Sequence, residues 1–199
     1  MNLKIEDGSK VFFTSDPHYY HSNIIKFCNR PFENVHQMNV QLIENWNKVV
    51  PEDGIVFLLG DFAFTQDYNK ISDIVYQLNG KIHLIMGNHD YQNKLDRPQF
   101  LQLFESISDI AYLQIKNEDL PDSYNKFILC HYPFLYWRPG YINLHGHIHS
   151  GPLAKTNEPA IPHLYRYDVG VDNNNYFPIS YNDLMVKLTQ NYLKSQVIN

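Results

Sequence analysis

The chain switches between short, wholly apolar runs and longer stretches in which apolar residues recur every three or four positions. Val11 to Ser15 is an apolar, β-branched and aromatic run that stops at Asp16-Pro17, and Ile55 to Leu59 is a second that stops at Gly60-Asp61. Lys81 to Met86 is a third, ending at Gly87-Asn88-His89-Asp90. Short runs without alternation are those of strands buried on both faces. Between them, Val35, Met38, Leu42, Trp46 and Val49 share one helical face that stops before Pro51. Ile71, Ile74, Val75 and Leu78 form another such stripe, closed by Asn79-Gly80. The order strand, helix, strand, helix, strand predicts crossover units and a largely parallel sheet.

The second half is richer in strands. Ile107 to Ile115, Lys126 to Cys130, Tyr141 to Leu144 and Tyr165 to Val171 are expected to be extended. Ser180, with Asp183 three residues on, opens a last helix carrying Leu184, Met185, Leu188 and Tyr192. The expectation is α/β: two stacked sheets flanked by helices, in one domain over residues 1–199.

Composition narrows the function. At 44% apolar and 19% charged residues the chain is globular rather than disordered. No apolar stretch approaches the roughly 18–20 residues of a spanning helix, so no membrane partner is expected. Met1 to Lys10 has no apolar run, so no secretory signal is expected. The two cysteines, Cys28 and Cys130, read as free thiols in a reducing, cytoplasmic setting. With 16 Lys and Arg against 21 Asp and Glu, a stable duplex-binding surface is not expected.

The chemistry lies at the ends of the predicted strands. Asp16 and His18 follow the first, Asp61 the second, Asn88 and His89 the third, His131 a later one, and His147 and His149 another. Ligands in open α/β sheets bind outside the carboxyl ends of the strands, so these residues converge on one rim. A lone Asp after a strand is ordinarily a turn residue, and a lone His ordinarily a satisfied surface or core group; the joint occurrence is what points to a site. Imidazole and carboxylate oxygen suit divalent transition ions such as Mn²⁺, Zn²⁺, Fe²⁺, Ni²⁺ or Co²⁺. Thiolate clusters of the structural-zinc type are absent. Alternation along an extended segment puts His147 and His149 on one side, about 7 Å apart, within reach of two neighbouring ions.

In order and spacing, Asp16-x-His18, Gly60-Asp61, Gly87-Asn88-His89-Asp90, His131 and Gly146-His147-x-His149 resemble the calcineurin-like metallophosphoesterases. The flanking text, such as Arg30-Pro31-Phe32, is similar to the small bacterial and phage branch. The resemblance implies a four-layer α/β/β/α sandwich, and because the motifs take up most of the chain no cap domain is expected. It implies that Asp16, His18 and His149 bind a first ion, that Asn88, His131 and His147 bind a second, and that Asp61 bridges both. His89 would protonate the leaving group or touch the phosphate, and Asp90 would orient His89. The implied activity is a dinuclear phosphohydrolase, foremost a phosphodiesterase, in which a metal-bridging hydroxide attacks a small phosphoester that includes nucleotides among its candidates. A nucleotide pyrophosphohydrolase, a phosphomonoesterase and a non-catalytic scaffold are the alternatives. His21, Arg30 and Arg138 are further candidates for substrate contact, the arginines because guanidinium matches phosphate geometry. Tyr132, Trp137 and Tyr141 are candidates to stack on a base.

Overall fold

A computed structural model describes residues 1–93, 97–116, 124–149 and 165–197. Two five-stranded mixed sheets face each other. The first sheet is built from β2 (Val11–Thr14), β3 (Ile55–Leu58), β4 (Lys81–Ile85), β5 (Ser106–Ser108) and β10 (Ile179–Ser180), in the order β10-β2-β3-β4-β5. All its pairs are parallel except β10 with β2. The second contains β1 (Asn2–Ile5), β6 (Ile110–Lys116), β7 (Tyr124–Cys130), β8 (Ile142–His145) and β9 (Arg166–Asp168), in the order β1-β6-β7-β8-β9. Only β6 and β7 pair antiparallel there.

The apolar runs are unbroken because the first sheet is covered on both faces. Val11, Phe13, Phe57 and Leu59 point between the sheets and meet Leu113, Phe127, Leu129 and Leu144 from the other side. Phe13 lies 5.7 Å from Phe57 and 5.9 Å from Phe127 between ring centroids, so three aromatic side chains join the sheets. The alternate residues, Phe12, Val56, Leu58 and Leu84, face the helices. There they meet the stripes predicted from spacing: Met38, Leu42 and Trp46 of α2 (Val35–Val49), and Ile71 and Ile74 of α3 (Tyr68–Val75). The short helices α1 (Ser22–Phe27) and α5 (Pro98–Leu101) bring Ile24 and Phe100 to the same layer. Asn34 caps α2 by accepting from the Gln37 N–H at 3.0 Å. The last helix, α6 (Tyr181–Val197), starts with the expected exchange: the Asp183 N–H donates to Ser180 Oγ at 3.1 Å, and that hydroxyl donates to the Asp183 carboxylate at 2.7 Å. Leu184 and Leu188 of α6 join the core between the sheets. No described helix is long and apolar enough to cross a membrane.

Three local departures matter. Ile107 to Ile115 is not one strand. The chain leaves the first sheet after Ser108 and enters the second at Ile110, so the run that looks continuous is the passage between sheets. Asn2–Ile5 forms an edge strand on β6, although only alternate positions are partly buried. Tyr165 to Val171 is extended only over Arg166–Asp168; after Gly170 the chain turns into a short 3₁₀ helix, Val171–Asn173. The Pro-rich segment Ser150 to Tyr165, which the sequence would make a loop near the rim, lies outside the described residues up to position 164.

Candidate metal centre

β2, β3 and β4 run parallel, as do β7 and β8, so each pair's carboxyl ends open on the same side. Asp61 stands in the middle of the side chains they deliver. Its Oδ2 lies 3.5 Å from His18 Nε2, 3.6 Å from His131 Nε2 and 3.9 Å from His89 Nε2. On one flank, Asp16 Oδ1 is 4.0 Å from His18 Nε2 and 3.9 Å from His149 Nε2. On the other, His131 Nε2 is 3.1 Å from Asn88 Oδ1, and the His131 ring lies 5.1 Å from that of His147. Asn88 and His89 start the short helix α4 (Asn88–Gln92).

These atoms suit divalent cations. Asp16, His18 and His149 present donor atoms mutually within 4.8 Å, as do Asp16, Asp61 and His131. Asp16 Oδ1 and His18 Nε2 are buried and lack a hydrogen-bond partner, a costly state that a cation would relieve. The supporting contacts leave the right nitrogen free. The carbonyl of Leu59 can only accept, so His131 Nδ1 donates to it at 2.8 Å and Nε2 keeps its lone pair. Asp172 Oδ2 sits 2.7 Å from His149 Nδ1 and does the same for His149.

The backbone is bent to hold this arrangement. Asp16, His18, Asp61, His147 and His149 have φ of 58, 54, 54, 70 and 47°, the left-handed region that costs side-chain-bearing residues about 1–3 kcal/mol each. His147 and His149 are therefore not on an extended segment; two left-handed turns carry them to opposite flanks. Hydrogen bonds tie the strained loops together: Asp16 N–H to Gly60 O at 3.0 Å, His18 N–H to Asp61 O at 3.1 Å and His147 N–H to Asp16 Oδ2 at 2.9 Å. A Cβ on Gly146 would collide with Ser15 and Asp16, so only glycine lets the β8 loop close on the β2 loop.

The model of the calcineurin-like phosphoesterase family matches residues 9–187. The chain belongs to that family. It is 37% identical to the uncharacterized protein MJ1445 of Methanocaldococcus jannaschii over 195 residues, covering 96% of this chain and 97% of the relative. It is 25% identical to the gene 66 protein of Mycobacterium phage L5, covering 82% of this chain and 87% of the relative. Among solved structures, a protein of unknown function, AQ665 from Aquifex aeolicus, superposes with a TM-score of 0.62 at 26% identity, over 87% of this chain and 96% of that one. Membership makes the chain a phosphoester hydrolase by family, and the clustered donors agree with the divalent-metal dependence of that family.

The electrostatics of this phosphoesterase centre show what cations would change. Burial and the charge of Asp16 push the Asp61 pKa up to about 7, against the His89 N–H that donates to its Oδ1 at 2.8 Å. Burial disfavours a charged His149, but the Asp16 and Asp172 carboxylates outweigh it and raise its pKa to about 11. Burial, then the charges of His149 and Arg30, hold His18 well below the ordinary imidazole range. Burial lowers His89 as well, against an interaction with the Gln92 side chain that favours the charged ring.

Three sequence expectations are corrected. Arg30 is not a phosphate clamp. It is buried, and all five of its N–H groups are spoken for: two on Asp172 at 2.9 Å, one each on the carbonyls of Asp16 at 2.8 Å and Pro17 at 2.9 Å, and one on Met38 Sδ at 3.5 Å. Arg138 lies over the Tyr141 ring at 5.2 Å, next to the start of β8 and so at the far end of the sheet from the rim. Asp90 does not hold the His89 ring. Its carboxylate accepts the backbone N–H groups of Gly87, Asp61 and Phe62 at 2.8–2.9 Å and so locks the β3 and β4 loops together. Burial and the charge of Asp61 lift its pKa to about 7. His21 does reach the centre, with Nδ1 3.2 Å from His18 Nδ1 and its ring flat on Phe64. Sequence reasoning does not single out Asp172, which lies two residues beyond Gly170, shortly after the end of β9.

Proposed function

We propose that this chain is a phosphodiesterase that works with two divalent transition-metal ions on a small phosphoester. The observation that carries the reading is the place of Asp61: one carboxylate oxygen lies 3.5 Å from His18 and 3.6 Å from His131, the inner members of two donor sets. Asp16, His18 and His149 would hold one ion, Asn88, His131 and His147 the other, and Asp61 would serve both. Bound there, the pair of cations would lower the pKa of water and neutralise charge on the phosphoryl oxygens. The protein's own part is to fix the donors, exclude alternative proton positions on His131 and His149, and present a proton. His89 Nε2, 3.9 Å from Asp61 and outside both donor sets, would give a proton to the departing oxygen.

The test is hydrolysis of bis(p-nitrophenyl) phosphate against p-nitrophenyl phosphate with Mn²⁺, Ni²⁺, Zn²⁺ or Fe²⁺ supplied. A diesterase turns over the first at least about tenfold faster in kcat/KM. Preference for the monoester would replace this reading with a phosphomonoesterase, and inactivity on both with every metal would favour a scaffold.

A further inference from the structure

The rim carries bare aromatic surface on both sides of the centre. Phe64 is 44% exposed, Phe27 64% and Tyr132 45%. Exposed apolar groups gathered beside one polar site mark a binding surface rather than a core. Phe64 is firmly held: its N–H donates to Tyr19 O at 2.8 Å, and its neighbour Ala63 bridges to Tyr19. One face of its ring lies flat on His21, with centroids 4.1 Å apart and planes 11° apart. That face is covered, so the exposed area belongs to the opposite face and the edge. The same ring stands 5.2 Å from His89. Across the centre, Tyr132 rests 4.7 Å from His147 and 5.0 Å from His131. Trp137 and Tyr141, the two further stacking candidates from the sequence in that loop, are bound to each other, the Trp137 Nε1–H donating to Tyr141 O at 2.8 Å.

We propose that Phe64 is a stacking platform for a nucleobase or an equally flat aromatic ring on the substrate, with Tyr132 the second contact across the centre. The proposal rests on the phosphodiesterase reading and names its substrate class. A flat ring attached near the scissile phosphate would lie on the free face of Phe64 on the His89 side. Size follows from charge. A long polynucleotide needs a basic track for its successive phosphates, and acidic residues outnumber basic ones here, 21 to 16. The ligand is therefore a dinucleotide or the end of a flexible strand. Base stacking on one aromatic side chain is worth about ten- to a hundredfold in affinity.

The experiment compares thymidylyl-thymidine with the same phosphodiester lacking both bases, using the Mn²⁺-loaded protein and its Phe64→Ala and Phe64→Leu variants. The readout is the ratio of kcat/KM between the two substrates. The wild type should favour the base-bearing diester by about tenfold or more, and both variants should lose most of that preference, chiefly through KM. Leucine keeps the apolar bulk and removes the flat face. A preference lost in Phe64→Ala and restored in Phe64→Leu assigns the residue to packing and overturns the proposal, as does an unchanged ratio. Turnover of the abasic diester by the wild type reports on the phosphodiesterase reading alone. If the protein cleaves only monoesters, that reading falls, and the ratio for thymidine monophosphate against deoxyribose 5-phosphate decides the platform by the same criterion.

Discussion

At Asp61, burial and a neighbouring carboxylate favour the proton, with the pKa raised to about 7, while the His89 N–H favours the charge. A cation on either side would replace that proton, and this is the sense in which the residue is built for metal. Asp61→Asn keeps the shape but removes the negative charge that both donor sets share. Metal analysis after dialysis should then find neither ion, with turnover lost; two ions at wild-type affinity would refute the shared role. His89 is the contrasting case. His18, Asp61 and His89 also present donor atoms within 4.8 Å of one another, so geometry alone permits His89 as a ligand. As a proton donor, its removal in His89→Ala should leave both ions bound and slow turnover by about a hundredfold or more. Loss of an ion in that variant would make it a ligand instead. The identity of these residues was readable because strand ends are where an α/β sheet puts its ligands. The arginine roles were not: a buried, fully bonded guanidinium and a substrate clamp look the same in a string of letters.

Among the elements, the strand-end loops and the 3₁₀ turn do the positioning. The sequence period identifies the strands and helices that bury apolar faces, as Phe13 and Trp46 illustrate. It is silent on the left-handed turns at Asp16, His18, Asp61, His147 and His149, because side-chain-bearing residues adopt them only when the surroundings impose them. It also misses the 3₁₀ turn that brings Asp172 to His149. Arg30 and Asp172 are linked by two bonds of 2.9 Å across 142 residues and connect α1's end, the Asp16 loop and His149. Burial raises the Asp172 pKa, but the Arg30 guanidinium and His149 outweigh it and hold the carboxylate ionised below the usual range. Asp172→Asn should weaken the first ion's affinity by about ten- to a hundredfold. It should also destabilise the fold by about 3–5 kcal/mol, since Arg30 would stay buried without its counter-charge. Metal titration and urea unfolding measure the two effects separately; wild-type affinity at the first ion would show that Asp172 only braces the fold.

For the molecule as a whole, gathering buried charge at one rim makes stability depend on pH. Without metal, Asp61 and Asp90 hold protons up to about pH 7, whereas the unfolded chain releases them near 4. At these two groups the folded state binds protons more tightly, so their contribution is greatest below about pH 4 and is lost as pH rises towards 7; His18 and His21, held by burial below the ordinary imidazole range, act in the opposite sense up to about pH 6.5. His149, raised to about 11, adds a loss of the same sign between about pH 6.5 and 11. Each pKa unit corresponds to about 1.4 kcal/mol. The urea midpoint of the protein in EDTA should therefore drop from pH 6.5 to pH 9, above the range in which the buried histidines oppose it, and excess divalent metal should flatten the slope. A midpoint that is level or rises with pH over that range in EDTA would mean that His149 and these carboxylates titrate in the fold as they do in the unfolded chain.

The most direct measurement is anomalous diffraction from crystals grown with Mn²⁺. Two peaks roughly 3.5–4 Å apart, one beside Asp16, His18 and His149, the other beside Asn88, His131 and His147, with Asp61 between them, are the predicted result. A single peak, or peaks that leave Asp61 unshared, would contradict it.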